Sequence, residues 1–206
     1  ESQQTWYIAG GEDHDGDGTN DSIVLLCDPV LPMATDTKFE NDYENNKTYS
    51  ADWRCTYETT PNEVYPNHYG ASELRATLNS MADGFNENYF TITEQGLMNA
   101  TIVEMYDMKN SINYTITDKL YALSATEQDA EEVYAGSSNC TVVLAKNSYW
   151  NRGDWFWMRS PMVEFSSGAL LALPGNGVRG HNVAREGNFG HFGSPFRGFT
   201  RYLLSR

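Results

Sequence analysis

The sequence predicts a mixed α+β domain, and three observations carry that expectation. Apolar residues at helical spacing fall early in the chain, the pattern after Asn139 changes to short strands and glycines, and aromatic residues outnumber long aliphatic runs. Thirteen Tyr and five Trp, with Gly, Asn, Asp and Thr scattered between them, suit many short strands joined by polar loops. Nine of the seventeen glycines follow Asn139. No Pro/Gly/Ser linker or composition break divides the 206 residues, so residues 1–206 are expected to form one domain.

Thr5 to Ala9 and Ser22 to Cys27 read as two strands of a hairpin around the acidic run Gly10 to Asp21. Residues 34–69 lack a period and read as irregular loops. Leu74, Leu78 and Met81 share one face of a helix over residues 71–81, with Gly84 as the stop signal. Thr91 and Glu94 have capping-box spacing, which predicts a second helix running through Leu97, Met98 and Ile102. Lys119 to Leu123 reads as a short strand, and Ser124 with Glu127 as another capping box opening a short helix to about Tyr134. Strands follow at Thr141 to Ala145, Trp155 to Ser160, Ala169 to Leu173, Val178 to Ala184 and Thr200 to Ser205. Two to three helices followed by a closing antiparallel sheet make the class α+β.

The net charge of −14 is unevenly spread: residues 141–206 hold eight Lys/Arg against three Asp/Glu, and residues 1–140 hold six against twenty-five. An acidic body argues against nucleic acid, which demands a basic footprint. The C-terminal Arg residues either pair with that body or meet a locally anionic ligand. Cys27, Cys55 and Cys140 are odd in number and widely spaced, leaving open one disulfide with one free thiol. No stretch reaches the ~20 apolar residues of a membrane span. A chain opening at Glu1 is read as a trimmed or exported product, placing it outside the cell, on a cell surface or on a phage.

Four ordered motifs then carry a resemblance: Ser72-Glu-Leu-Arg-Ala-Thr-Leu-Asn79, Phe90 with Glu94, Asp118-Lys-Leu-Tyr-Ala-Leu-Ser124 with Glu127, and Trp157-Met-Arg-Ser-Pro161. With Trp6 and Leu25-Leu26 they resemble a family of bacterial domains marked by Trp-x-x-Arg-Ser-Pro. The resemblance implies the C-type-lectin fold, shared with formylglycine-generating enzymes and with the hypervariable proteins of diversity-generating retroelements. That family closes on Gly-Val-Arg-Pro-Ala, whereas this chain has Gly198-Phe-Thr-Arg-Tyr-Leu-Leu204. Formylglycine-generating enzymes hold copper on a cysteine pair near the end of the fold, and no cysteine follows Cys140 here. The expectation is therefore a non-enzyme without a redox cofactor.

Two segments are candidate sites. The loop from Asp13 to Asp21 puts Asp13, Asp15, Asp17 and Asp21 at positions 1, 3, 5 and 9 of an EF-hand-like count, with Gly18 at 6 and the Thr19 carbonyl at 7. Position 12 is Val24 rather than a bidentate Glu, so the loop is either a structural Ca²⁺ site or a solvated acidic turn. From about 162 to 197, Met162, Glu164, Phe165, Arg179, His181, Asn182, Arg185, Asn188, Phe189, His191, Phe192, Ser194, Phe196 and Arg197 stand among glycines. Arg and aromatics on such loops suit recognition of a protein or glycan, as in retroelement-variable proteins; an ordinary surface loop is the plain alternative. Trp155, Trp157, Arg159 and Pro161 are assigned to the scaffold. A formylglycine-generating-type oxidase and a structural surface module without a ligand complete the functional options.

Overall fold

The computed structural model describes residues 5–28, 31–32, 47–49, 55–57, 67–82, 89–108, 110–125, 132–136, 142–145, 156–161, 168–173, 177–182, 199–200 and 202–205. Within them the fold mixes short helices with small antiparallel sheets. Strands β1 (Thr5–Glu12) and β2 (Ser22–Asp28) form the expected hairpin. Strand β3 (Leu31–Pro32) follows, and β4 (Lys47–Tyr49) pairs with β5 (Cys55–Tyr57) inside the run expected to be irregular.

A 3₁₀ turn, Tyr69–Ala71, leads into α1 (Glu73–Met81), where the Ser72 side chain accepts from the Arg75 N–H and caps the helix. Leu74, Leu78 and Met81 are buried, as their spacing requires. Helix α2 (Ile92–Gly96) has the full Thr91/Glu94 capping box but stops after five residues. It does not reach Ile102. That residue lies instead in β6 (Thr101–Asp107), which pairs with β7 (Ile112–Asp118). Gly96 weakens the helix, and residues 101–107 alternate strictly between buried and exposed, the strand period of two.

Strand β8 (Leu120–Ala122) is wholly buried. The helix expected up to Tyr134 fails at its end: β9 (Glu132–Tyr134) pairs with β10 (Val143–Ala145), and Ser124 exchanges backbone hydrogen bonds with Tyr134. Glu127 and Gly84 lie outside the described residues. The late strands are β11 (Phe156–Pro161), β12 (Gly168–Leu173), β13 (Gly177–Asn182), β14 (Phe199–Thr200) and β15 (Tyr202–Ser205). Strands β11, β12 and β13 form an antiparallel sheet in that order, and β14 pairs with β3.

The central sheet runs β1-β2-β15-β8, with Leu203 of β15 between Leu26 and Tyr121. Val24, Leu26, Leu120, Tyr121, Leu123, Val133 and Met158 join the α1 residues in one buried cluster. Among the described residues, no helix is long and apolar enough to cross a membrane.

Candidate functional site

The signature residues hold one another. Arg75, from the helix motif, donates from Nε to Oδ2 of Asp118 at 2.9 Å and from Nη2 to Oδ1 at 2.8 Å, while its Nη1 reaches the Gly70 carbonyl. The Asp118 side chain has no exposure, and hydrogen bonding to it holds Arg75 above its ordinary pKa. The buried Tyr69 hydroxyl accepts from the Ala122 N–H, and burial raises its pKa. Tyr114 receives the Gly70 N–H on its hydroxyl, stacks on His68 at 4.4 Å, and is pushed up to about 12 by burial.

Arg159, from the Trp-x-x-Arg-Ser-Pro motif, is 5% exposed. Its Nη1 donates to the Ala122 carbonyl and its Nη2 to the Gly136 carbonyl at 3.2 Å, with the Tyr121 ring centroid 5.4 Å from its guanidinium carbon. Its own N–H donates to Leu123 O, and the Ala125 N–H donates to Ser160 Oγ, stitching β11 to the segment after β8. Desolvation lowers the Arg159 pKa against the opposing fields of Tyr121, Tyr69 and Glu12. Trp157 is partly buried against the core, in keeping with a scaffold role, and Trp155 lies outside the described residues.

In the acidic loop the carboxylates of Asp13, Asp15 and Asp17 come together, with one oxygen of each within 4.8 Å of the others. Asp13 organises the turn: Oδ1 accepts from the Gly16 N–H at 2.7 Å and Oδ2 from the Gly18 N–H at 2.8 Å. Asp15 accepts from the Asp17 N–H and Asp17 from the Thr19 N–H. Gly16 and Gly18 have φ of 80° and 91°, left-handed conformations that a Cβ would strain. Asp21 does not join the three. Its Oδ1 accepts from the His14 N–H at 2.8 Å and from the Ser22 hydroxyl, closing the neck of the hairpin. The His14 N–H holds the Asp21 carboxyl below its ordinary pKa. Val24, at the twelfth position, is buried in the core.

Of the C-terminal candidates, Arg179, His181 and Asn182 lie on β13, where Arg179 pairs with Leu171, His181 with Ala169 and Asn182 with Gly168. Met162, Glu164, Phe165, Arg185, Asn188, Phe189, His191, Phe192, Ser194, Phe196 and Arg197 lie outside the described residues.

A family model described as "Domain of unknown function (DUF6273)" matches residues 31–191. The chain belongs to the DUF6273 family. No curated protein and no solved structure matches it. The match spans all four motifs and the C-terminal candidates as far as His191, whereas the acidic loop precedes it and Phe192, Ser194, Phe196 and Arg197 follow it. The Arg75–Asp118 pair and the Arg159 bonds thus lie within the family's own span.

Proposed function

We propose that the chain is a non-catalytic, extracellular binding module of C-type-lectin-like fold. Its face over about 162–197 takes a protein or glycan and varies among sister sequences, as in retroelement-diversified proteins. The observation that carries this reading is the division of labour along the chain. The motif arginines Arg75 and Arg159 are engaged in scaffold bonds, while Arg179, His181 and Asn182 stand on β13, the last strand in the order β11-β12-β13. A fixed scaffold beside a polar, aromatic and arginine-bearing segment is the arrangement recognition surfaces use.

Replacing Phe189, Phe192 and Arg197 together by Ala tests it on a glycan array and a displayed peptide library. Capture should disappear while the melting temperature stays; a fall in melting temperature would favour the structural-module reading. Sister sequences should differ almost only within 162–197, and differences spread evenly along the chain would defeat the variable-protein reading. Stoichiometric copper or iron in the purified protein would revive the oxidase alternative.

A structural cation is a second reading, favoured by the three converging carboxylates of the β1–β2 loop. Asp13, Asp15 and Asp17 would be its ligands, with the Thr19 carbonyl as a further oxygen; Asp21 serves the loop neck. Calorimetric titration with Ca²⁺ should show one site with Kd on the order of 10⁻⁴–10⁻³ M, the range of extracellular modules. Asp15→Asn should abolish it. An equal response from that variant would leave the loop as a solvated turn.

A further inference from the structure

An open groove of about 320 Å³ is lined by Glu104, Met105 and Tyr106 of β6 and by Arg159, Ser160 and Pro161 of β11, among others. Its notable member is Arg159. Two of its guanidinium nitrogens are spent on backbone carbonyls, and Nε has no hydrogen-bond partner. No carboxylate bonds it among the described residues. Among those residues the guanidinium hydrogen-bonds only neutral carbonyls, the Tyr121 ring and the Glu12 carboxylate acting on it without a bond, so an anion arriving through the groove would supply the charge-assisted bond that Nε lacks. The Ser160 hydroxyl accepts from the Ala125 N–H and keeps its own proton to donate. Glu104, exposed on the same groove, adds the opposite charge. Met105, Tyr106 and Pro161 add apolar residues to its lining, and the volume suits a small molecule.

We propose that this groove binds a free apolar α-amino acid. Arg159 and Ser160 take its carboxylate, Glu104 its ammonium, and the lining at Met105, Tyr106 and Pro161 its side chain. The proposal is independent of the C-terminal segment, so either reading can fail without the other.

The test is calorimetric titration of the full chain with leucine, leucinamide and N-acetyl-leucine. Leucine should bind saturably at one site. The amide lacks the carboxylate and the acetyl compound lacks the ammonium, so each should bind at least roughly tenfold more weakly, the worth of a charge-assisted hydrogen bond. Arg159→Lys should weaken leucine binding to a similar degree by losing the fork geometry. Because Arg159 is buried, Glu104→Gln at an exposed position provides a variant whose folding is not at stake. It should weaken leucine roughly tenfold, leave N-acetyl-leucine unchanged and keep the melting temperature. Absence of saturable leucine binding, equal binding of either analogue, or an unchanged Glu104→Gln variant would overturn the proposal.

Discussion

Arg75→Met removes the guanidinium that clamps Asp118 and strips the Nη1 bond to Gly70. The side chain left behind decides the size of the effect. Asp118 has no exposed surface, whereas the Arg75 side chain is 24% exposed, so water cannot replace the lost partner on the acid side. Breaking a buried pair from one side costs about 3–5 kcal/mol, because the surviving charge stays buried without compensation. At about 2–4 °C per kcal/mol for a chain of this length, the melting temperature should fall by roughly 6–20 °C. The double variant Arg75→Met/Asp118→Asn carries no stranded charge and should recover more than half of that loss. Differential scanning calorimetry of wild type, both single variants and the double variant closes the cycle. A melting temperature for Arg75→Met indistinguishable from wild type, or a double variant no better than Arg75→Met, would refute the reasoning.

Leu78→Ala empties a fully buried position of α1 and should cost about 2–5 kcal/mol in urea denaturation. Gly18→Ala should destabilise by about 1–2 kcal/mol although open space surrounds the new methyl, because φ of 91° is strained for any L side chain; Gly96→Ala, at the end of α2, should not. His68 accepts the Ala71 N–H on Nδ1, and burial lowers its pKa. The neutral ring is thus favoured in the fold, and its contribution is fully present above pH about 6.5 and lost as the pH falls through the lowered folded value. Melting temperatures from pH 8 to pH 5 should show wild type losing more stability than His68→Gln on acidification.

The N-terminal hairpin and α1 were legible because each shows a single period: alternating residues around a polar run, then Leu74, Leu78 and Met81 on one helical face. The Thr91 capping box was legible from two residues alone. The end of that helix was not, since Leu97, Met98 and Ile102 continue a helical spacing past Gly96. A competing signal was present only in the partner strand, where Ile112, Tyr114 and Ile116 alternate with polar residues; in Thr101 to Asp107 the alternation is one of burial and not of residue type. Around the acidic loop the three clustered aspartates follow from their spacing, but the role of Asp21 does not, because a hairpin brings His14 opposite it where an EF-hand count expects a ligand. The groove was invisible in sequence. It depends on β6 and β11 lying close together, and local periodicity carries no trace of that contact.

Placing β15 between β2 and β8 has a consequence for how the chain acquires its structure. Leu203 must find Leu26 and Tyr121, contacts of very large sequence separation, and such pairings slow folding because the intervening chain is ordered before they reward it. Until residues 202–205 arrive, β2 and β8 each present an unpaired edge, the kind of surface on which another chain can add a strand. During synthesis the central sheet can close only after the last of these residues leaves the ribosome, so its aggregation risk is greatest in the nascent chain.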